Sequence, residues 1–343
     1  MSEQNPQSVQ QPASAEMLQH ILGVLIPQAS HIAAKLGIAD IVAKGPATAE
    51  ELAAATQSHA PSLRRLLRFL TSLGIFSEDA SGKYHQTELS DTLRRDHPQS
   101  VRGFAIFWGS GLCWKPFGDL ATTIATGEPA FNHVFGTGVF EYLSAHPEDA
   151  AIFNDGMTSL SARDLPLIID AYDFSAFNRI VDVGGGAGAL LHGILSANPK
   201  LRGVLFDLPS VVEGADSLRS GSLAARCEIV GGDMFQKVPE GADGYLMRAV
   251  IHDWNDEDAL KILQVCRRAI PAHGKLLLVD SVLKPSNEPD LGRFNDLTML
   301  AMAPGGRERS EVEFRDLLQR SGFALTRVIP ATGMLSIVEA HPV

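Results

Sequence analysis

"IVDVGGGAGALL", residues 180–191, decides how this chain is read. A β-branched run from Ile180 to Val183 stops at Gly184, and an apolar helical run begins a few residues on. Glycine has no Cβ, so the backbone can turn sharply there and a ligand can lie against it. The dinucleotide spacing G-x-G-x-x-G does not fit. Counted from Gly184 it needs a glycine where Ala189 stands, and counted from Gly186 it needs one at Leu191. What stands instead is Asp182 followed by alternating Gly184, Gly186 and Gly188.

Short apolar runs alternate with helical stretches on both sides of this turn: "RIVDVG", "RGVLFDLP", "CEIVGGD", "GYLMRAV" and "KLLLVDSVL". Buried strands separated by helices imply an α/β fold with a Rossmann-like parallel sheet covered on both faces. Two last runs, "FALTRVIPA" and "GMLSIVEAHPV", joined at Thr332-Gly333, predict an antiparallel edge. The second strand ends at Asp207 and Leu208, where a carboxylate can take both hydroxyls of a ribose. The third ends at Asp233, suited to an adenine amino group, with Met234 and Phe235 to pack on the ring. Any one of these acids also serves as a turn or cap residue. Together with Asp182 they fall at one sheet edge, where such sheets bind ligands.

The segment before the sheet is different. Leu18, Ile21, Leu22, Leu25 and Ile32 recur at helical spacing over residues 17–37, Thr48 and Glu51 form a capping-box pattern, and "PSLRRLLRFLTSLG" predicts a further helix. "IFSEDASGKYHQT" then reads as two short strands around a turn. Helix, helix, helix, hairpin is a winged-helix order, which admits a DNA-binding regulator. Over residues 44–100, however, seven Lys/Arg are offset by seven Asp/Glu, and the whole chain carries a net charge of -11. That balance argues against a partner held through nucleic-acid phosphates. Residues 101–172 read as a helical connector rich in aromatics (Phe104, Phe107, Trp108, Trp114, Phe117, Phe153), a pattern more often core than pocket.

Cys113, Cys227 and Cys266 are widely spaced, which suits neither a zinc site nor a disulfide framework and fits a reducing cytoplasm. No apolar run approaches the roughly 18 residues that span a bilayer. Residues 1–16 lack the basic and apolar regions of a signal peptide and are expected to be a disordered tail.

"LMRAVIHDWNDEDALKIL", residues 246–263, holds two readings. In one, a strand runs into a helix capped by Asn255, with Asp256, Glu257 and Asp258 favouring its dipole. In the other, His252 is a proton acceptor at the carboxyl edge of the sheet, since imidazole is neutral and basic near pH 7.

"VDVGGGAG", "FDLP", "GGDMF", "HDWND" and "MLAMAPGGRERS", in this order, resemble the small-molecule O-methyltransferases of the caffeate/hydroxyindole type, a family that includes bacterial tailoring enzymes of antibiotics and other aromatic products. The alternating D-x-G-x-G-x-G is the turn that methyltransferases use for S-adenosylmethionine. The resemblance runs from about residue 20 to the C-terminus. It implies a winged-helix-like dimerisation domain over 17–100, a connector over 101–172 that contributes to the substrate pocket, an S-adenosylmethionine-binding catalytic domain over 173–343, and a homodimer without metal.

It further implies His252 as the base, oriented by Asp280 and Glu308. Family members usually carry glutamate at the first of these, so the shorter Asp280 either acts through water or leaves the orienting to Glu308. Asp182, Gly184, Gly186, Asp207, Leu208, Asp233, Met234 and Phe235 would hold the cofactor. Ser161 would lie near its methionine carboxylate. Arg248, often lysine in the family, would lie near the adenine or at the rim; Trp254 is either an adenine neighbour or a core aromatic. Trp114, Phe153, Met157, Leu160, Asp296, Met299 and Met302 would form the acceptor slot for a flat phenolic substrate. A methyltransferase-fold enzyme using the cofactor for decarboxylation or hydroxylation, and a winged-helix cofactor-sensing regulator, are the rival readings.

Overall fold

The computed structural model describes residues 12–285 and 287–343, which fall into two compact units. One runs to Trp114 and takes in Glu148–Leu160; the other holds Lys115–Pro147 and Ser161–Val343.

In the first unit the helical spacing of residues 17–37 resolves into two helices, Ala13–Leu22 and Leu25–Leu36, rather than one. The interruption falls at Gly23 and Val24, just before Pro27, whose nitrogen has no proton to give the helix ladder. The first helix starts inside the expected tail. After Pro12, the run Ala13-Ser-Ala-Glu16 is a helix start with an acid in its first turn. Residues 1–11 lie outside the described residues. Thr48 accepts from Glu51 N and completes the capping box of helix Ala49–Thr56. Helix Ala60–Ser72 and a small antiparallel sheet follow, with β1 (Ala47–Thr48), β2 (Ser77–Glu78) and β3 (Lys83–His85) in the order β1-β3-β2. Leu52, Leu67, Leu70, Phe76 and Tyr84 close the core beneath this wing. Phe107 and Phe153 meet edge to face with centroids 5.4 Å apart.

The second unit is the predicted mixed sheet. Its strands are β4 (Arg179–Val183), β5 (Arg202–Asp207), β6 (Cys227–Gly231), β7 (Gly244–Arg248), β8 (Lys275–Leu283), β9 (Arg309–Ser310), β10 (Phe323–Pro330) and β11 (Leu335–Pro342). The order is β10-β11-β8-β7-β4-β5-β6, with β9 paired to the end of β8. Strands β6 to β8 along this path are parallel, and β10 and β11 form the antiparallel edge.

Alternate residues of the central strands go to opposite faces. Val181, Val183, Tyr245 and Met247 enter one buried cluster, while Ile180, Leu246 and Leu277 enter the other. Each such side chain contributes about 1.5–3 kcal/mol by leaving water. The order of connection reverses at β4: β5 and β6 lie on one side, β7 and β8 on the other. Ligands bind such sheets outside the carboxyl end of the strand at that reversal. The connector expected as one block, 101–172, is divided, because helices Leu120–Thr126 and Ala130–Phe135 pack on helix Leu291–Met302 of the second unit. Among the described residues no helix is long and apolar enough to cross a membrane.

Candidate active site

The turn after β4 is shaped by its glycines. Gly184 has φ +70°, and a Cβ there would stand 2.7 Å from Val250 Cγ2. Gly188 has φ +83°, and its Cβ would meet Leu218 Cδ1 at 2.3 Å. At Gly186 the requirement is different: φ is +61°, yet a Cβ would meet nothing within 4 Å, so the backbone there faces open space. Its N–H donates to Asp207 Oδ2 at 2.8 Å, tying the turn to the end of β5. The other Asp207 oxygen accepts from Leu208 N. Asp233, just past β6, accepts from Phe235 N at 2.9 Å, so it shapes its own turn. Met234, Phe235 and Trp254 pack on the core as a group, Phe235 and Trp254 edge to face at 4.8 Å. Trp254 is therefore both a core aromatic and a neighbour of the third-strand turn.

The next strand over, β7, ends at Arg248, whose Nη1 donates to Ser161 Oγ at 3.2 Å; its Nη2 lies 4.0 Å from Asp164 Oδ2. These bonds commit Arg248 to helix Pro147–Ala171 and not to the Phe235–Trp254 pair. Ala249 then takes φ +51°, a left-handed conformation that a side chain disfavours. It delivers the chain into a short 3-10 turn, Ile251–Asp253, carrying His252. Asn255 caps the following helix Asp256–Ala269, accepting from Asp258 N. The cap and a largely buried histidine at the sheet edge thus coexist.

The second conspicuous motif, "GGRER", locks onto this turn. Arg307 N donates to His252 O at 2.8 Å. A Cβ on Gly306 would stand 3.2 Å from that same oxygen and 2.9 Å from Met299 Cε. Arg309, only 1% exposed, donates to Ile251 O and Trp254 O and pairs with Asp256. Glu308 lies between these two arginines, and its Oε1 stands 2.8 Å from His252 Nδ1. Asn295 Nδ2 donates to the same oxygen, and Asp296 Oδ1 accepts Glu308 N–H at 2.9 Å. Ser310 caps helix Glu311–Arg320 with Glu313 as its partner.

Asp280 stands on β8 just beyond the last residue paired with β7, Val279. It is fully buried, and neither oxygen has a hydrogen-bond partner among the described residues. The orienting bond on His252 therefore comes from Glu308, while Asp280 acts on the ring through its charge. Burial pushes the Asp280 carboxyl up to about 7, against the pull of His252. Burial likewise pushes Asp182 up to about 7, with Arg248 opposing. For His252, burial would lower the pKa. The Glu308 hydrogen bond and the charges of Asp280 and Asp253 overcome this and carry it up to about 9.

Asp182 Oδ2, both Asp280 oxygens and Glu308 Oε2 are buried without hydrogen-bond partners among the described residues. Orphaned carboxylate oxygens at a sheet edge call for a cation. S-adenosylmethionine, positive at sulfur, fits that donor set and the open backbone at Gly186.

Of the expected acceptor residues, Asp296, Met299 and Met302 share helix Leu291–Met302, where Asp296 is engaged by Glu308 N–H and Met302 is buried. A cavity of about 840 Å³ beside this helix is lined by Asp296, Leu297, Leu300 and Glu308, but not by Met299, Met302 or His252. Trp114, Phe153, Met157 and Leu160 belong to the first unit. Reading by sequence missed Asn295 and Arg309, which carry no local signal; the left-handed Ala249 is equally silent.

A glycine turn at the reversal of a parallel sheet, with a histidine–carboxylate pair one strand over, defines a class of methyl-donor-binding enzymes. Comparison with known proteins gives the family. The O-methyltransferase domain model matches residues 117–324, and the O-methyltransferase dimerisation domain matches 18–96. A phenazine O-methyltransferase of Lysobacter antibioticus is 44% identical, with 97% of each chain covered. The structure of a methyltransferase in calicheamicin biosynthesis, with S-adenosylhomocysteine bound, is 33% identical with TM-score 0.89, covering 98% of this chain and 100% of that one. An O-methyltransferase from neocarzinostatin biosynthesis, in complex with S-adenosylmethionine and 2-hydroxy-5-methyl naphthoic acid, is 34% identical with TM-score 0.79, over 98% of this chain and 100% of that one. The chain belongs to the O-methyltransferase family. It is an S-adenosylmethionine-dependent methyltransferase with an N-terminal dimerisation domain.

Proposed function

We propose that the chain methylates a hydroxyl of a small phenolic natural product, with His252 as the base, and works as a cytoplasmic homodimer. The observation that carries the assignment is the 2.8 Å contact between His252 Nδ1 and Glu308, on a turn held by Arg309. S-adenosylmethionine, when bound, supplies a methyl group on a cationic sulfur. Asp207 is proposed for its ribose and Asp233, Met234, Phe235 and Trp254 for its adenine. Leu208 and the backbone at Gly184 and Gly186 flank it, and Ser161 with Arg248 takes the methionine end.

In the neutral ring, with Nδ1–H donated to Glu308, His252 Nε2 is the atom left to take the acceptor's hydroxyl proton. With the pKa carried up to about 9, and not left near 6.5 as the sequence suggested, that form is the minority near pH 7 and grows as pH rises. A phenol near 10 yields its proton more readily to an imidazole at about 9 than to one at 6.5. Asp280 supports the imidazolium that results. Met299 and Met302 offer soft apolar contact for the acceptor ring, and Trp114, Phe153, Met157 and Leu160 are proposed as further determinants of acceptor choice. The three free cysteines support the reducing compartment, and the dimerisation domain supports the homodimer.

Calorimetric titration with S-adenosylhomocysteine and with NADH, for the wild type and Asp207→Ala, tests the cofactor residues. Selective binding of the thioether, weakened by the substitution, is expected. Unchanged binding would remove Asp207 from the site. A screen of phenolic acceptors with His252→Ala as control then tests the base.

A further inference from the structure

Glu308 is held in an unusual way. Its Oε1 receives both His252 Nδ1 and Asn295 Nδ2, whereas its buried Oε2 has no hydrogen-bond partner among the described residues. The residue after Asn295, Asp296, takes Glu308's backbone N–H. Helix Leu291–Met302 thus grips Glu308 at main chain and side chain from two consecutive positions. The amide orientation follows from chemistry: an ionised carboxylate only accepts, so Asn295 must present its NH₂ and not its oxygen.

We infer that Asn295 is a positioning residue for the histidine–carboxylate pair: by sharing Glu308 Oε1 with His252 it fixes the carboxylate and limits how tightly His252 holds its proton. This rests on the assignment of His252 as the base. A donor on Oε1 draws off part of the negative charge that would otherwise face the imidazolium. The other charged groups acting around the ring leave room for that effect. Asp253, on the same turn, has Oδ1 3.5 Å from His252 Nε2. Asp280 acts from β8 without a hydrogen bond. Asp296 is occupied by Glu308 N–H, and buried Arg309 spends its donors on Ile251, Trp254 and Asp256. Among these groups only Asn295 shares the carboxylate oxygen that His252 uses.

Asn295→Leu keeps the side-chain volume and removes the donor, and Asn295→Gln restores a donor on a longer arm. Two readouts are taken on the full-length enzyme. One is the pH profile of kcat with a phenolic acceptor. The other is the NMR titration of His252 in the S-adenosylhomocysteine complex, assigned by comparison with His252→Ala. In Asn295→Leu the His252 midpoint and the acid limb of kcat are expected to move up by about half to one pH unit. At pH 7 that lowers kcat about 3–10-fold, with the KM for the cofactor unchanged and with partial return in Asn295→Gln. Thermal unfolding of each variant separates this from a loss of fold, which would not shift a titration midpoint. A midpoint that stays in place or moves down overturns the inference. If His252→Ala retains its rate, the base assignment fails instead, and the NMR midpoint still decides what Asn295 does.

Discussion

Two turns sit side by side at the carboxyl edge of the sheet, one after β4 and one after β7, and they are built on opposite principles. The β4 turn is local. Gly184, Gly186 and Gly188 all adopt positive φ within five residues, and its bond to Asp207 joins neighbouring strands. The β7 turn is assembled from a distance. Left-handed Ala249 opens it, and groups more than 50 residues downstream hold it: Arg307 N on His252 O, Arg309 on Ile251 O and Trp254 O, and Glu308 on the ring itself. A turn shaped by its own backbone can be written in one stretch. A histidine with a shifted pKa cannot, because its charge partners have to come from other elements.

The largest expected effect is at the assembled turn. His252→Ala should lower kcat by about 10²–10⁴-fold with little change in S-adenosylhomocysteine affinity, measured by steady-state kinetics and calorimetry. Glu308→Gln keeps an acceptor for Nδ1–H but removes the carboxylate charge that, with Asp280 and Asp253, lifts His252 to about 9, so the acid limb of kcat should move down while kcat falls. The same residue should govern stability. A histidine whose folded pKa is raised stabilises the fold fully below 6.5, and that contribution is lost as pH rises through about 9. Wild type should therefore lose thermal stability between pH 6.5 and 9.5, and Glu308→Gln should lose less over that window.

Next in size is Arg309→Met, which keeps the volume but strips the donors from Ile251 O and Trp254 O. Unsatisfied carbonyls of this kind cost about 1–3 kcal/mol each. An unfolding free energy lowered by a total of about 2–6 kcal/mol in denaturant titration is expected, together with a kcat reduced about 10²-fold as the proposed base loses its position. If stability falls but kcat holds, the turn is not set by its distant clamp and the contrast between the two turns collapses. The smallest effect belongs to the local turn. Gly188→Ala forces a Cβ onto Leu218 at φ +83° and should cost about 1–3 kcal/mol. It should weaken S-adenosylhomocysteine binding and leave the His252 pH limb where it was, checked by calorimetry and the kcat profile.

The difference between the turns also explains what could be read in advance. The strands, the antiparallel end, the capping box at Thr48 and the glycine turn rest on residues close in sequence, and each was legible. The break at Gly23 ahead of Pro27 was equally local, yet the apolar spacing across it is continuous and masked it. His252 was conspicuous, but its pairing with Glu308 came from resemblance, since 56 residues separate them. Asn295 and Arg309 drew no reading from the sequence, because their partners Glu308, Ile251, Trp254 and Asp256 lie 13 to 58 residues away.

By itself the sequence determined the sheet, the glycine turn and the acids at the strand ends, because strand periodicity and glycine's missing Cβ act over a few residues. The tertiary structure alone decided which carboxylate orients His252, which arginine is buried, where Arg248 points and how high the histidine titrates. Those depend on burial and on charges brought together across the sheet edge, and neither exists until the chain has folded.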